Sequence, residues 1–479
     1  MPVAAQVIRH AAVSPGRVAV SGPHGAITYG DLARRARETA AAFPVVSPAG
    51  RRVAGICLAD PVEQLIAVLA ADLAGAVPLL YEPALRDGVP ADLLIETLPT
   101  GAVPGTAPFV PGPGDLAWAS FSSGSTGRPR AVVRTRASWT GSFEPLSALT
   151  GIGADDVVLV PGPLVSSLYG FAAVHALAVG ATVLAPGRWA PGALPGLLRR
   201  ATAVHLVPHQ LPAVLDALPA GAPLRVAVAG GAALPSGVRE RAGAVRVVAY
   251  YGATELSFVA VDADGGGLRP FPEVEIEVRP PSGEVWVRSP WLAEGYLGGV
   301  AGPLKIDDKW MSVGDLAHPY ARGEPLRLRG RGDGAIQTGG ATVVPEDVEA
   351  VLRRADGVSD VVVVGSPHPV LGAIVTAVVE VGAVGTGAVG TGVVGTGAVG
   401  GAGAVGTGAV GTGAVGGAAG WGPSRAGLEA VARAGLAAAQ RPRRWYSIAA
   451  LPRTATGKPA RDQVAAALTT GDPALRRLT

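Results

Sequence analysis

A single cysteine, Cys57, in 479 residues leaves no internal disulfide framework and no cysteine-based metal cluster to consider. It lies in RVAGICLAD, a run that reads as a buried strand, where a thiol is a packing group and not a nucleophile. Lysine is nearly as scarce: Lys305, Lys309 and Lys458 are the three in the chain, so 37 of the 40 basic residues are arginine. A chain that writes Arg wherever it needs positive charge keeps Lys where a compact ammonium on a flexible stem is required. Aromatic residues make up only 5%, and the hydrophobic 48% leans on alanine and valine. No uninterrupted stretch reaches about 18 strongly apolar residues, so no membrane span is expected. The net charge is only +3, and the basic residues are scattered instead of forming a stripe interleaved with aromatics. Nucleic acid is therefore not an expected partner. The start, MPVAAQVIRHAAVSPGR, lacks the charged end, apolar block and small-residue cleavage site of a secretory leader, and the cytoplasm is the expected compartment.

What is present falls into three styles. Up to about residue 250, the β-branched runs RVAGICL, VVLVPGP, AVHLVP, LRVAVAG and VRVVAYYG alternate with helical patterns, as expected for parallel sheets joined by crossover helices. In ITYGDLARRARETAAAF, Thr28 followed three residues later by Asp31 marks the start of an amphipathic helix. From about Glu273 to Arg329, strict alternation in VEIEVRP, GEVWVRS and LRLRGRG indicates a small antiparallel unit. After GRGDG come a helix in VVPEDVEAVLRRADGV and strands in SDVVVVG and IVTAVVEV. The boundary between a large first domain, 1–331, and a small second one, 332–479, is placed at Arg331 to Asp333. Residues 382–420 repeat a GTGAV-like pentapeptide. Such a tract cannot bury enough large side chains to offset its ordering entropy, and a disordered insertion is expected there.

The first chemistry lies in DLAWASFSSGSTGRPRAVVR. A strand reaching Phe121 leads into Ser122, Ser123, Gly124, Ser125, Thr126, Gly127, Arg128, Pro129 and Arg130 before a second strand begins. Glycines and small hydroxyl side chains let N–H and O–H groups approach phosphate oxygens, and the arginines add charge. The other reading of the segment is an ordinary polar hairpin loop. It matches neither GxGxxG nor GxxxxGK[ST]. It resembles instead the phosphate loop SSG[ST]TGxPK of the adenylate-forming superfamily of acyl-CoA synthetases, adenylation domains and luciferases. Arg130 stands in place of the closing lysine, keeping the charge and adding a bidentate grip.

Four further segments follow in that family's order. VAVAGGAALP sets Gly230, Gly231 and Ala232 after a strand, similar to the family segment that lies against adenine. In VVAYYGATE, with Tyr251, Gly252, Thr254 and Glu255, the resemblance implies that Tyr251 stacks on adenine, Thr254 hydrogen-bonds phosphate and Glu255 helps to hold Mg²⁺. WMSVGDLAH puts Asp315 at the family's ribose-binding aspartate, a natural acceptor for two adjacent O–H donors. RLRGRGDGAIQTGGATVVPEDVE resembles GRxDDxIKxxGxxVxPxEIE. There Arg331 matches a second ribose contact and Asp333 the hinge, while Gly334 and Gln337 replace the family's second Asp and its Lys. Gly339 and Gly340 suit the passage of a narrow pantetheine arm. LPRTATGKPAR matches PxTxxGKxxR almost letter for letter, with Lys458 as its lysine. An ammonium there reaches both the attacking carboxylate and the α-phosphate, and stabilises charge as the bond to pyrophosphate lengthens.

The resemblance implies an α/β fold: a large N-terminal domain of two mainly parallel sheets with helices plus a small β-barrel, and a small mobile α+β C-terminal domain. It also implies ATP, Mg²⁺ and coenzyme A. The expected reaction activates a carboxylic acid to an acyl-adenylate and transfers the acyl group to the thiol of coenzyme A, in fatty-acid or secondary metabolism. Amino-acid-activating relatives carry an Asp in an FDxS-like segment, and VPGPLVSSLYGFAAVHAL has no acidic residue, which points to an acyl or aryl acid. Ser166 stands where many acyl-CoA synthetases have a His. Tyr169, Phe171 and Tyr250 are candidates for the pocket wall, with core packing as the alternative for each. Two other readings stay open. One is a stand-alone adenylation enzyme that loads a separate carrier protein, since no GxxS-type carrier site follows Lys458. The other is a catalytically weakened nucleotide-binding regulatory protein, motivated by Arg130, Ser166 and Gln337.

Overall fold

A computed structural model describes residues 3–43, 52–101, 110–122, 130–234, 237–331, 334–338, 341–381, 423–454 and 457–479. The chain divides into two compact units, Met1–Ala335 with Pro452–Asp462, and Ile336–Leu451 with Gln463–Thr479. The sequence reading assigns all of 332–479 to the second domain, whereas the segment that carries Lys458 clusters with the first unit.

Two sheets dominate the first unit. The nine-stranded one has a parallel centre, running through Arg246–Ala253, Val226–Gly230, Ala203–Leu206, Val157–Leu159, Thr182–Leu184 and Val18–Gly22. Antiparallel strands flank it, Ser257–Asp262 on one side and Gly25–Thr28 on the other. These are the β-branched runs read from the sequence, and Val226–Gly230 is buried at all of its positions, as a strand covered on both faces must be. The second sheet has six strands: Val53–Ile56, Val77–Leu80, Leu93–Ile95 and Leu116–Ser122 are parallel, and Arg130–Thr135 and Gly295–Tyr296 are added antiparallel. The alternating segment forms a third, wholly antiparallel sheet that includes Glu275–Arg279, Glu284–Arg288, Asp315–Ala317 and Leu328–Arg331.

The helices Pro61–Ala74 and Ser167–Ala178 are apolar almost all round and correspondingly buried, with Ser167–Ala178 touching strands of both large sheets. Tyr29–Ala41 begins as read, with the Thr28 hydroxyl accepting the Asp31 N–H. In the second unit the long hairpin Val358–His368 and Gly372–Val381 carries the helices Pro345–Leu352 and Arg425–Gly435 against one apolar cluster. The repeat at 382–420 lies outside the described residues. Among the described residues no helix is long and apolar enough to cross a membrane. Cys57 follows the strand Val53–Ile56 directly, and burial pushes its thiol up, away from the thiolate form.

Two imidazoles in this core set an acid limit. Burial pulls His175 down to about 4 and His205 to about 3. Among the described residues Nε2 of His205 has no hydrogen-bond partner, and both rings are buried, so an added charge would be poorly solvated. Their folded-state values lie below the unfolded value of about 6.5, so the neutral rings add stability that is present above that pH and lost as pH falls towards the folded values. The urea midpoint should therefore drop between about pH 7 and about pH 5, before most carboxylates titrate. An unchanged midpoint across that range would contradict the assignment.

Candidate active site

The carboxyl ends of Val226–Gly230 and Arg246–Ala253 lie where open α/β sheets take their ligands. A cavity of about 370 Å³ opens there, and every residue lining it belongs to the first unit. Ser122, Arg130, Gly231, Gly252, Thr254, Glu255 and Lys458 share its wall with the rings of Trp139, Phe171, Tyr250 and Phe258. Phe171 and Tyr250 are thus wall residues, whereas Tyr169 is buried in the core with its hydroxyl donating to Gln210 Oε1 at 2.8 Å.

Local strain shapes the turn that presents Thr254 and Glu255. The pairing of Arg246–Ala253 with Ser257–Asp262 shifts register between Tyr251 and Gly252. A Cβ on Gly252 would lie 2.1 Å from the carbonyl oxygen of Ser257, so the turn requires glycine there. Thr254 Oγ1 is 3.1 Å from Ser167 Oγ, at the start of the helix Ser167–Ala178. Glu255 is only 4% exposed, and the Tyr296 hydroxyl donates to its Oε1 at 2.9 Å. Burial, then the Glu255 charge, pushes the Tyr296 hydroxyl up, so it remains a donor across the working pH range. Beneath the turn, Arg134 reaches out of the strand Arg130–Thr135. Its guanidinium donates to the carbonyl of Thr254 at 2.6 Å and to that of Trp291. Burial pulls it down to about 10, with Glu255 opposing the shift, so it stays cationic at neutral pH.

Lys458 arrives on a tight loop. The Thr454 N–H donates to the Lys458 carbonyl at 2.8 Å, and the Gly457 N–H to the Thr454 carbonyl at 2.7 Å. A Cβ built on Gly231 would lie 3.1 Å from Lys458 Cε and 3.6 Å from Nζ, so the missing side chain at 231 leaves room for the lysine stem. At Gly230 it leaves room for the Tyr250 ring, 2.1 Å from such a Cβ. Ala232 is exposed. Gly457 adopts φ 80°, and a Cβ on it would lie 2.2 Å from His209 Cε1. Gly457→Ala should therefore displace Lys458 and lower the rate of any reaction at this cavity by about a hundredfold, since a misplacement near 1 Å can cost that much. Steady-state kinetics at matched folded concentration check it, and a parental rate would refute it.

Asp315 is 8% exposed and accepts from the Tyr251 hydroxyl at 2.7 Å, which unites the candidate adenine and ribose residues. Arg331 sits opposite Asp315 in the strand register. Arg130 pairs with Ser122 across the hairpin, and its Nε donates to the Ala301 carbonyl at 2.8 Å. The loop residues Ser123, Gly124, Ser125, Thr126 and Gly127 lie outside the described residues, as do Asp333, Gly339 and Gly340. Sequence reasoning missed Arg134, Tyr296 and Ser167. The one available sign for Arg134 was a charged residue inside the apolar strand AVVRT, buried at that position.

Residues 89–297 match the family model described as AMP-binding enzyme. The chain is 29% identical over 424 residues to an uncharacterized acyl-CoA ligase, YhfT, of Bacillus subtilis, covering 77% of this chain and 86% of the relative. It is 27% identical over 270 residues to a putative long chain fatty acid-CoA ligase, VraA, of Staphylococcus epidermidis, covering 53% and 58%. Among solved structures, a variant of E. coli MenE with bound OSB-AMS superposes with a TM-score of 0.73 at 23% identity, over 97% of this chain and 98% of that one.

Proposed function

We propose that the chain, whose residues 89–297 match the AMP-binding enzyme model and which is similar to acyl-CoA ligases, is an adenylate-forming, AMP-forming acid:thiol ligase that uses ATP and coenzyme A. The observation that carries this reading is the meeting of Lys458, Thr254 and Glu255 on one cavity whose apolar wall combines aromatic rings with the aliphatic side chains of Val165, Leu168 and Val207. A carboxylate bound against that wall attacks the α-phosphorus of ATP, a P–O bond forms, and the bond to pyrophosphate breaks. The Lys458 ammonium stabilises the charge that builds between the two oxygens. Thr254 and Arg130 hold phosphate oxygens, Ser122 and its loop neighbours cradle the leaving group, and Asp315 with Arg331 and Tyr251 holds the nucleoside.

Among the described residues there is no group of three or more His, Cys, Asp or Glu that would cage a metal ion. The buried carboxylate of Glu255, on the cavity wall, fits Mg²⁺, which binds through one or two carboxylates together with substrate phosphates. When bound there, the ion neutralises phosphate charge. In the second step the thiolate of coenzyme A attacks the acyl carbon and expels AMP. The family resemblance assigns Asp333 as the hinge of a movement that withdraws Lys458 before the thiol attacks, and Gly339 and Gly340 to the passage of the thiol. Coenzyme A is the acceptor in this reading, and a separate carrier protein is the acceptor that the test must discriminate from it.

Pyrophosphate release is measured with ATP, Mg²⁺ and a panel of acids, with and without coenzyme A. Acid-dependent release that coenzyme A accelerates supports the ligase. Acid-dependent release that coenzyme A leaves unchanged assigns the acceptor role to a carrier protein. No release with any acid, while ATP still binds, refutes the reading.

A further inference from the structure

Of the three non-glycine residues with left-handed backbone among those described, Ser257, Glu273 and Asp308, only Ser257 lines the catalytic cavity. Its φ of 62° is costly for any residue with a Cβ and free for glycine. In a chain that uses 69 glycines, a serine kept in such a conformation keeps a hydroxyl at that point of the wall. That hydroxyl has no hydrogen-bond partner among the described residues. Ser166, 7% exposed and also on the wall, makes no capping bond with its own side chain.

Beside these serines the wall carries four mutually packed rings, together with the aliphatic side chains of Val165 and Leu168. Trp139 lies edge-on to Phe171, with ring centroids 5.2 Å apart, and Phe171 edge-on to Phe258 at the same 5.2 Å. Tyr250 adjoins Phe258 at 4.7 Å. Two members of the cluster are backed: Trp139 is stacked on Trp118 at 4.5 Å, and Phe258 on Phe271 at 4.9 Å. Rings locked in this way do not part to admit a long flexible chain, and they present the offset and edge surfaces that another ring prefers. The cavity of about 370 Å³ is near the lower end of the range of roughly 300–1,000 Å³ for ligand sites, and it includes the wall around Lys458 and Thr254. A fully apolar tail would also strand the serine hydroxyls without partners, which is unfavourable once water is displaced.

Resting on the ligase reading above, we propose that the acid is a compact aromatic carboxylic acid carrying a ring hydroxyl or amino group. Its ring packs among Trp139, Phe171, Tyr250 and Phe258, and its polar substituent bonds to the Ser257 hydroxyl. Ser257 is then a specificity-determining residue: a site built to hydrogen-bond a substituent rejects the analogue that lacks it.

The test is pyrophosphate release with benzoate, the three hydroxybenzoates, the three aminobenzoates, octanoate and palmitate, using the full-length enzyme and its Ser257→Ala and Ser257→Gly variants. One substituted ring acid should exceed benzoate at least about tenfold in kcat/KM, and exceed palmitate by more. That ratio should fall towards one in both variants. Ser257→Gly should in addition raise the melting temperature by relieving the left-handed backbone, which separates the hydroxyl's part from the turn's. Octanoate or palmitate as the best acid would overturn the proposal and leave the ligase reading standing, as would a ratio unchanged in both variants. No release with any acid, ATP still binding, would remove the ligase reading and this proposal together.

Discussion

Replacement of Lys458 by alanine is expected to slow acid-dependent pyrophosphate release by about 10²–10³-fold, the loss typical when one preorganised donor to a developing charge is removed. The half-buried side chain lines a cavity and is not part of the apolar core, so the variant should still fold, and rates are compared at matched folded concentration. Lys458→Arg should fail nearly as badly. The space beside Gly231 is filled by the thin lysine stem, and a planar guanidinium does not deliver a point charge to the same place. Thioester formation from a supplied acyl-adenylate should be far less affected, because that step needs no new bond at phosphorus. Stopped-flow measurement of each half-reaction separates the two, and equal losses in both would reassign Lys458 to substrate binding.

The second large effect is expected at Arg134. Its guanidinium is buried and supplies donors to two carbonyls, that of Trp291, which is buried, and that of Thr254, which is partly buried, while its charge faces Glu255. Arg134→Met keeps much of the volume but leaves those acceptors unpaired, at a cost of about 3 kcal/mol in all. The turn carrying Thr254 and Glu255 loses its anchor at the same time, so activity per folded molecule should fall by about a hundredfold. Arg134→Lys should rescue little of either, since one ammonium cannot match the fork that spans both carbonyls. Urea unfolding and kinetics on the same preparations check both parts. Full activity in a destabilised Arg134→Met would confine the residue to a structural role.

The fold was legible because strand and helix are written locally here. The runs around Val53, Val157, Val204, Val226 and Val247 are rich in β-branched residues, and each is a strand. Thr28 with Asp31 opens a helix as its side-chain chemistry requires. Of the candidate site residues, those that the structure brings to one cavity and that the sequence also singles out sit on recognisable loops: Thr254 and Glu255 at a strand end, and Lys458 as one of three lysines. Illegible were the groups whose role depends on elements distant in sequence. Arg134 is one arginine among 37 until its strand is brought beneath the turn at Thr254, 120 residues later. Tyr296 reaches Glu255 only because its short strand pairs with Arg130–Thr135. The membership of 452–462 in the first unit rests in the same way on His209 closing over Gly457 and on Gly231 making room for the lysine. No local pattern encodes these meetings.

The central claim, that the carboxylate itself attacks the α-phosphate, is tested most directly by isotope transfer. An acid accepted by the enzyme is labelled with ¹⁸O in both carboxylate oxygens and turned over with ATP, Mg²⁺ and coenzyme A, and the nucleotide product is analysed by mass spectrometry. Formation of an acyl-adenylate and its attack by thiol predict AMP carrying one ¹⁸O, with the other retained in the thioester carbonyl. Label in inorganic phosphate with ADP as the nucleotide product, or unlabelled AMP, would contradict it.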